Sequence, residues 1–151
     1  MKFVNLQDYM PVLIEIMDDG KEVSLVVSGG SMIPFLVPRR DTVIITKPSE
    51  TYKKGDLIFF QRSSGEYIMH RIHHIDKEEH LYLVGDAQQE IEGPIEKNQV
   101  VGCVRSVIRK NKRIDSNNHV WKFFATVWLW CLPVRDTVMN FYTKIKNKSK
   151  I

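Results

Sequence analysis

A serine follows two glycines in the stretch SGGSMIPFL, which spans residues 28–36. Because a serine hydroxyl is a poor nucleophile near neutral pH, a catalytic serine needs a nearby base, a group that orients the base, and hydrogen-bond donors for the oxyanion. Gly29 and Gly30 permit backbone angles closed to other residues and let a peptide approach the main chain, and Pro34 fixes the chain just beyond Ser31. The residues that follow are apolar, as if the turn lies against a hydrophobic surface. Taken alone, the stretch fits either a structural turn or a nucleophile.

Two other polar residues complete the set that a serine nucleophile needs. His70 lies in the stretch YIMHRI, where strand alternation places it between Ile68 and Ile72 on one face, and it is the candidate base. Asp86 follows a glycine at the end of an apolar stretch and is the candidate orienting acid. Each has a plainer interpretation when taken alone, as a hydrogen-bonded structural histidine and as a turn-forming aspartate. Their chemistry therefore depends on whether the fold brings them together.

The elements that must position these residues are mostly strands. Apolar residues at three- and four-residue spacing predict a helix within residues 1–20. Runs rich in β-branched and aromatic residues, separated by Gly and Pro, then predict strands at 23–27, 42–46, 57–60, 66–75, 80–84 and 100–108. We therefore expect a mainly β protein with an antiparallel domain over 21–110, a polar linker over 111–118 and a helical tail over 119–151.

The composition limits the classes of function. At 151 residues and 43% hydrophobic content, the chain is long enough for one domain with a core and too short for two ordinary ones. Cys103 and Cys131 lie in apolar surroundings without the spacing of zinc ligands, so we expect buried free thiols, no metal and no cofactor. The N-terminus lacks the uninterrupted apolar segment of a secretory signal. The longest apolar run, at 123–134, is shorter than the roughly 18 residues that a membrane span needs.

Five short motifs follow one another along the chain: SGGSMIPFL, KGDLIFF at 54–60, MHRI at 69–72, VGDA at 84–87 and VGCV at 101–104. Their order and spacing resemble those of the signal peptidase I family, a group of serine peptidases related to self-cleaving repressors of the SOS response. The greatest likeness is to the endoplasmic-reticulum, archaeal and sporulation-type branch, in which a histidine replaces the lysine base of most bacterial enzymes. The resemblance implies a signal-peptidase-like antiparallel β domain.

The same resemblance assigns roles to the candidate residues. It makes Ser31 the nucleophile, His70 the general base and Asp86 the orienting acid. We expect the residues beside the nucleophile to bind the substrate or the oxyanion: Gly29, Gly30, Met32 and Pro34.

This chain departs from the family pattern in three places. The family commonly has a serine two residues before the nucleophile, where its hydroxyl helps the oxyanion hole, and this chain has Gly29 there. The backbone N–H of Ser31 must then do more of that work. After Asp86 the branch continues with an asparagine and a second aspartate, whereas this chain has AQQEIE, in which Glu90 is the candidate for the second acid. We also expect no counterpart of the family's N-terminal membrane anchor.

The tail has a composition typical of a membrane interface. From Arg105 onward the chain carries 11 of its 22 Lys and Arg but only 2 of its 18 Asp and Glu. Three tryptophans and several phenylalanines precede alternating lysines at 144, 146, 148 and 150, and indoles and lysines favour anionic headgroups. We expect peripheral membrane association through this segment; the alternative is a helical hairpin packed on the β domain. Because the aromatic residues are clustered, nucleic acid is not an expected partner.

These observations predict a serine endopeptidase of the signal-peptidase type, which cleaves a signal or leader peptide through an acyl-enzyme. One alternative is a degenerate member of the family that binds peptides without cleaving them. Another is a self-cleaving repressor-like peptidase, but such proteins use a lysine base and an upstream cleavage site. The stretch before Ser31 contains no Ala-Gly pair and no room for a DNA-binding domain, and the lysines nearest the nucleophile in sequence are Lys47, Lys53 and Lys54.

Overall fold

The computed structural model describes residues 6–148 and contains eight strands and four α-helices. The strands are β1 Val23–Val26, β2 Thr42–Thr46, β3 Leu57–Gln61, β4 Tyr67–Ile75, β5 Leu81–Val84, β6 Glu92–Ile95, β7 Val100–Arg109 and β8 Lys112–Asp115. The helices are α1 Leu6–Asp18, α2 His119–Ala125, α3 Val127–Trp130 and α4 Arg135–Lys148. The predicted fold class, a mainly antiparallel β protein with a short N-terminal helix and a helical C-terminal segment, is confirmed.

All the strands belong to one antiparallel sheet, in the order β1-β2-β7-β3-β4-β5-β6, with β8 also paired to β7. Alternation along β3 divides the core between its two faces. Leu57 and Phe59 join a cluster that includes residues of the C-terminal helices and of the loop between β1 and β2, which contains Ser31 and is called the Ser31 loop. Ile58 and Phe60 join a second cluster built from β4, β5, β6 and β7. The loop that carries Ser31 therefore packs in the first cluster, together with one face of the sheet and the C-terminal helices.

Helix α1 packs on the sheet as its apolar spacing predicts. Met10 and Met17 are buried, and the helix lies against β1, β4 and β7. The first five residues of the predicted N-terminal element lie outside the described residues.

The predicted linker over 111–118 is corrected by the structure. Residues Lys112–Asp115 form β8, which returns along β7 after a turn in which Lys110 and Asn111 adopt positive φ angles. The hairpin escaped prediction because its strand is short and highly charged, so it lacks the apolar alternation that marks a half-buried strand.

The first two helices of the predicted tail, α2 and α3, pack into the core of the β domain. Trp121, Phe124 and Trp128 are buried, and the first two pack against Phe35 of the Ser31 loop. Trp130, by contrast, is 81% exposed. Within residues 6–148, no helix is both long enough and apolar enough to cross a bilayer.

Candidate active site

Ser31 lies in the loop between β1 and β2, and buried apolar side chains hold this loop in place. Met32, Phe35 and Leu36 are almost fully buried, as the apolar composition after the glycines predicts. The backbone N–H of Leu36 donates to the carbonyl of Met32 at 2.9 Å, and the N–H of Ala87 donates to the carbonyl of Ser31 at 2.9 Å. The serine is thus attached at its carbonyl to the turn that follows β5, while its side chain stays half-buried.

A cavity of about 540 Å³ opens beside Ser31, between β1 and β4. Its wall brings together residues that are distant in sequence: Gly29, Ser31 and Met32 from the loop, Met69 and His70 from β4, and Gln7 from α1. The lining contains no lysine, so Lys47, Lys53 and Lys54 are not candidates for a base in this cavity.

His70 is almost completely buried in β4, with its ring 6.0 Å from that of Phe60. Its Nδ1 atom is buried without a hydrogen-bond partner. Burial lowers the pKa of His70 to about 4, since the charged imidazolium loses hydration, so the ring is neutral at physiological pH. A neutral ring has a nitrogen free to accept a proton.

Ser31 and His70 share the cavity without touching. Among the hydrogen bonds of residues 6–148, none joins the two side chains. Catalytic hydrogen bonds are often absent or long in free enzymes and shorten when substrate binds. The arrangement therefore provides a nucleophile and a neutral base at one cavity. We expect the two side chains to form their hydrogen bond when the substrate binds.

Asp86 is not the orienting partner of His70, which corrects the expectation from the sequence. Its two carboxylate oxygens accept hydrogen bonds from Nε and Nη2 of Arg71, both at 2.9 Å, and both side chains are fully buried. Because Arg71 follows His70 in the strand, its side chain points to the opposite face, and Asp86 lies on that face. The ion pair supports the turn beneath Ser31 and leaves His70 without a carboxylate.

Sequence reasoning also missed two tail residues that hold this turn. Nε1 of Trp128 donates to the carbonyl of Asp86 at 2.7 Å. Nη1 of the buried Arg135 donates to the carbonyls of Gly85 at 2.9 Å and Gln88 at 2.8 Å. No sequence signal identifies these contacts, because the partners are more than 40 residues apart. The turn that touches Ser31 is therefore held by the sheet on one side and by the C-terminal helices on the other.

The remaining predicted residues fall into different environments. A Cβ atom placed on Gly29 would meet nothing within 4 Å, so a serine fits at that position. Pro34 is half-buried and Gly30 is exposed, and neither residue lines the cavity. Glu90 is also exposed and lines a neighbouring cavity with Arg62 and Glu92, so it does not act as a second acid beside Asp86. Residues 6–148 contain no cluster of His, Cys, Asp and Glu arranged to hold a metal ion.

Residues 2–105 match the family described as Peptidase S24-like. The matched range contains Ser31, His70 and Asp86 and ends within β7, before the C-terminal helices. Neither a curated protein nor a solved structure matches the chain.

Proposed function

Because the chain belongs to the Peptidase S24-like family, we propose that it is a serine endopeptidase that cleaves a signal or leader peptide through Ser31 and His70. The observation that carries the proposal is the shared cavity, which is lined by a half-buried serine and a neutral, buried histidine and by no lysine. Cleavage of leader peptides in particular follows from the likeness of the five motifs to the signal peptidase I family.

Two open strand edges border this cavity and fit an extended peptide. Among residues 6–148, β1 is the last strand of the sheet and its strand partner is β2. β5 pairs with β4 from Arg71 onward, so residues 67–70 of β4 have no strand partner within the described part of the chain and form a free edge toward the cavity. An extended peptide bound to such an edge gains main-chain hydrogen bonds, while side-chain pockets select its sequence. A peptide laid along β4 passes Ser31 at the end of the free edge.

The proposed mechanism uses few groups. Neutral His70 takes the hydroxyl proton of Ser31 as the oxygen attacks the scissile carbonyl, and the imidazolium returns that proton to the leaving amine. His70 then activates a water molecule, which hydrolyses the acyl-enzyme. Backbone N–H groups of the glycine-rich loop, that of Ser31 first, face the oxyanion. Asp86 contributes through Arg71 to the position of the turn and takes no part in proton transfer.

A self-cleaving repressor-like peptidase is the second candidate, since the family match does not separate the two activities. One observation favours cleavage of a separate peptide. The cavity lacks the lysine base that the self-cleaving proteins use.

Labelling with a fluorophosphonate probe tests the proposal directly. We expect the full chain to take up one probe molecule at Ser31 and to lose all labelling in Ser31→Ala, because only an activated serine reacts with this reagent. Ser64→Ala, at an exposed serine in the turn between β3 and β4, serves as the control and is expected to label fully. An unlabelled native chain would favour a degenerate family member that binds peptides.

The pH dependence of cleavage follows from the burial of His70. Since burial lowers its pKa to about 4, we expect the acid limb of kcat/KM to fall below the ordinary histidine value of about 6.5. An acid limb of kcat/KM well above pH 8 would instead indicate a lysine base.

The free energy of unfolding should also decrease as the pH falls from about 6.5 toward about 4, because the unfolded chain takes up a proton at His70 that the native state resists.

We also propose that the outer face of the C-terminal helices binds anionic membranes. Five apolar side chains of α3 and α4 have at least 43% of their surface exposed: Val127, Trp130, Val138, Phe141 and Ile145. Lys144 and Lys146 lie on the same helix and are exposed; nothing is described of the Lys148 side chain, and Lys150 lies outside the described residues. Apolar burial at the interface and attraction of each lysine, about 1 kcal/mol near an anionic surface, act together.

Vesicle flotation measures this association. We expect the native chain to float with anionic liposomes, less strongly at high salt, because salt screens the lysine contribution but not apolar burial. Trp130→Ser combined with Phe141→Ser should abolish flotation, whereas Val12→Ser on α1, an exposed apolar residue on another surface, should not. Substitution is preferable to truncation at residue 118, which would remove core residues such as Trp128. Equal flotation of the double variant would assign the binding to another surface.

A further inference from the structure

The side chain of Gln7 occupies part of the free edge of β4. Its Oε1 accepts a hydrogen bond from the backbone N–H of Tyr67 at 2.8 Å, and its Nε2 donates to the carbonyl of Tyr67 at 3.2 Å. One carboxamide thus satisfies both main-chain groups of one strand residue. This is the pattern by which a neighbouring strand pairs with a residue in an antiparallel ladder.

The register of β3 and β4 shows which residues of β4 can pair with a bound peptide. In antiparallel pairs, successive residues direct their N–H and C=O groups alternately toward one neighbour and the other. Tyr67 faces away from β3, so Met69 does too, whereas Ile68 and His70 face β3. Arg71 again faces away and pairs with Val84 of β5. Within the described residues 6–148, the free edge therefore offers two pairing positions, Tyr67 and Met69, and Gln7 occupies the first.

The helix that carries Gln7 is anchored. Met10 and Met17 of α1 are buried in the core, 0% and 1% exposed, so the carboxamide is presented by a packed element. Gln7 and Met69 both line the cavity beside Ser31, so the occupied and the vacant pairing positions belong to the same site.

We propose that Gln7 is a specificity-determining residue that limits peptide pairing on β4 to the position of Met69. The inference rests on the proposed function, because it concerns the peptide that the cavity binds. Each residue of an extended chain advances it by about 3.3 Å. A peptide whose main chain pairs with Met69 therefore reaches the Gln7 carboxamide two residues further along. Residues of the peptide beyond that point gain no main-chain hydrogen bonds. The site is thereby selective for a short recognition segment next to the cleaved bond.

Peptide binding measured by fluorescence anisotropy tests this inference. The probes are labelled, end-blocked peptides of alternating Ala and Val, lengthened one residue at a time at either end. Binding is measured on chains that carry Ser31→Ala, so that every peptide stays intact. With Gln7 present, we expect the affinity to stop rising once the peptide pairs with Met69. With Gln7→Ala, two further residues should improve the affinity about tenfold, since two additional hydrogen bonds form.

Two further variants sharpen the test. Gln7→Glu keeps the acceptor for the N–H of Tyr67 but loses the donor for its carbonyl, so it should give an intermediate length dependence. Glu15→Ala, at an exposed position of the same helix, should leave the length dependence unchanged. Hydrogen exchange of the Tyr67 amide should accelerate in Gln7→Ala and stay unchanged in Glu15→Ala.

The outcomes separate this inference from the proposed function. The same length dependence in Gln7→Ala and in the chain with Gln7, or no binding of any peptide by either, would overturn the role of Gln7. Cleavage and fluorophosphonate labelling of the unmodified chain decide the proposed function independently. Labelling and cleavage combined with an unchanged length dependence would reject the inference alone.

Discussion

Ser31→Ala is expected to reduce cleavage of a leader peptide by about 10⁴-fold or more, and His70→Ala by a similar factor. The reason is that the attacking oxygen and its proton acceptor act as one unit, so removal of either leaves only binding and oxyanion stabilisation. The double variant should therefore be no slower than the slower single variant. The measurement is kcat/KM on a peptide with small residues before the cleaved bond, as the family resemblance implies.

Matched controls separate chemistry from folding in this experiment. His74→Ala changes an exposed histidine of the same strand, and Ser64→Ala changes an exposed serine of a neighbouring turn. Both are expected to keep cleavage within a few-fold of the native rate. Near-native activity in Ser31→Ala or in His70→Ala would reject the assignment of that residue as nucleophile or general base. Full loss of cleavage in His74→Ala would instead identify His74 as the base.

Asp86→Asn is expected to lower the free energy of unfolding by about 3–5 kcal/mol, because it leaves the Arg71 guanidinium buried without its counter-charge. For a protein of this size, such a loss lowers Tm on the order of 10 °C. Urea denaturation and thermal melting measure the effect. Glu92→Gln is the matched control: its ion pair with Arg62 is partly exposed, so the loss should stay below about 1 kcal/mol.

A double-mutant cycle identifies what Asp86 does. If the carboxylate serves Arg71, then Arg71→Met combined with Asp86→Leu should recover much of the stability lost in either single variant, since no buried charge remains unpaired. Native stability in Asp86→Asn, together with a displaced acid limb of kcat/KM, would instead restore Asp86 as the orienting acid of His70.

The sequence by itself determined the fold class and the order in which the candidate site residues follow one another along the chain. Runs rich in β-branched and aromatic residues predict β4 and β7 almost to their ends, since these residue types favour strands. The three- and four-residue spacing of α1 predicts its packing face. β6 escaped prediction because Gly93 and Pro94 oppose strand formation, and only its position at the edge of the sheet permits them.

The tertiary structure alone decided which polar groups meet. The sequence predicts that Asp86 faces His70, but the strand directs Arg71 toward Asp86, and both carboxylate oxygens accept hydrogen bonds from that guanidinium on the face opposite to His70. Gln7 reaches Tyr67 across 60 residues, and Arg135 reaches Gly85 across 50. Local periodicity reports which face of an element is buried, but these contacts depend on how distant elements pack. The physical reason is that a buried hydrogen-bonding group takes whichever partner the packing brings within reach, and that partner leaves no mark on the neighbouring sequence.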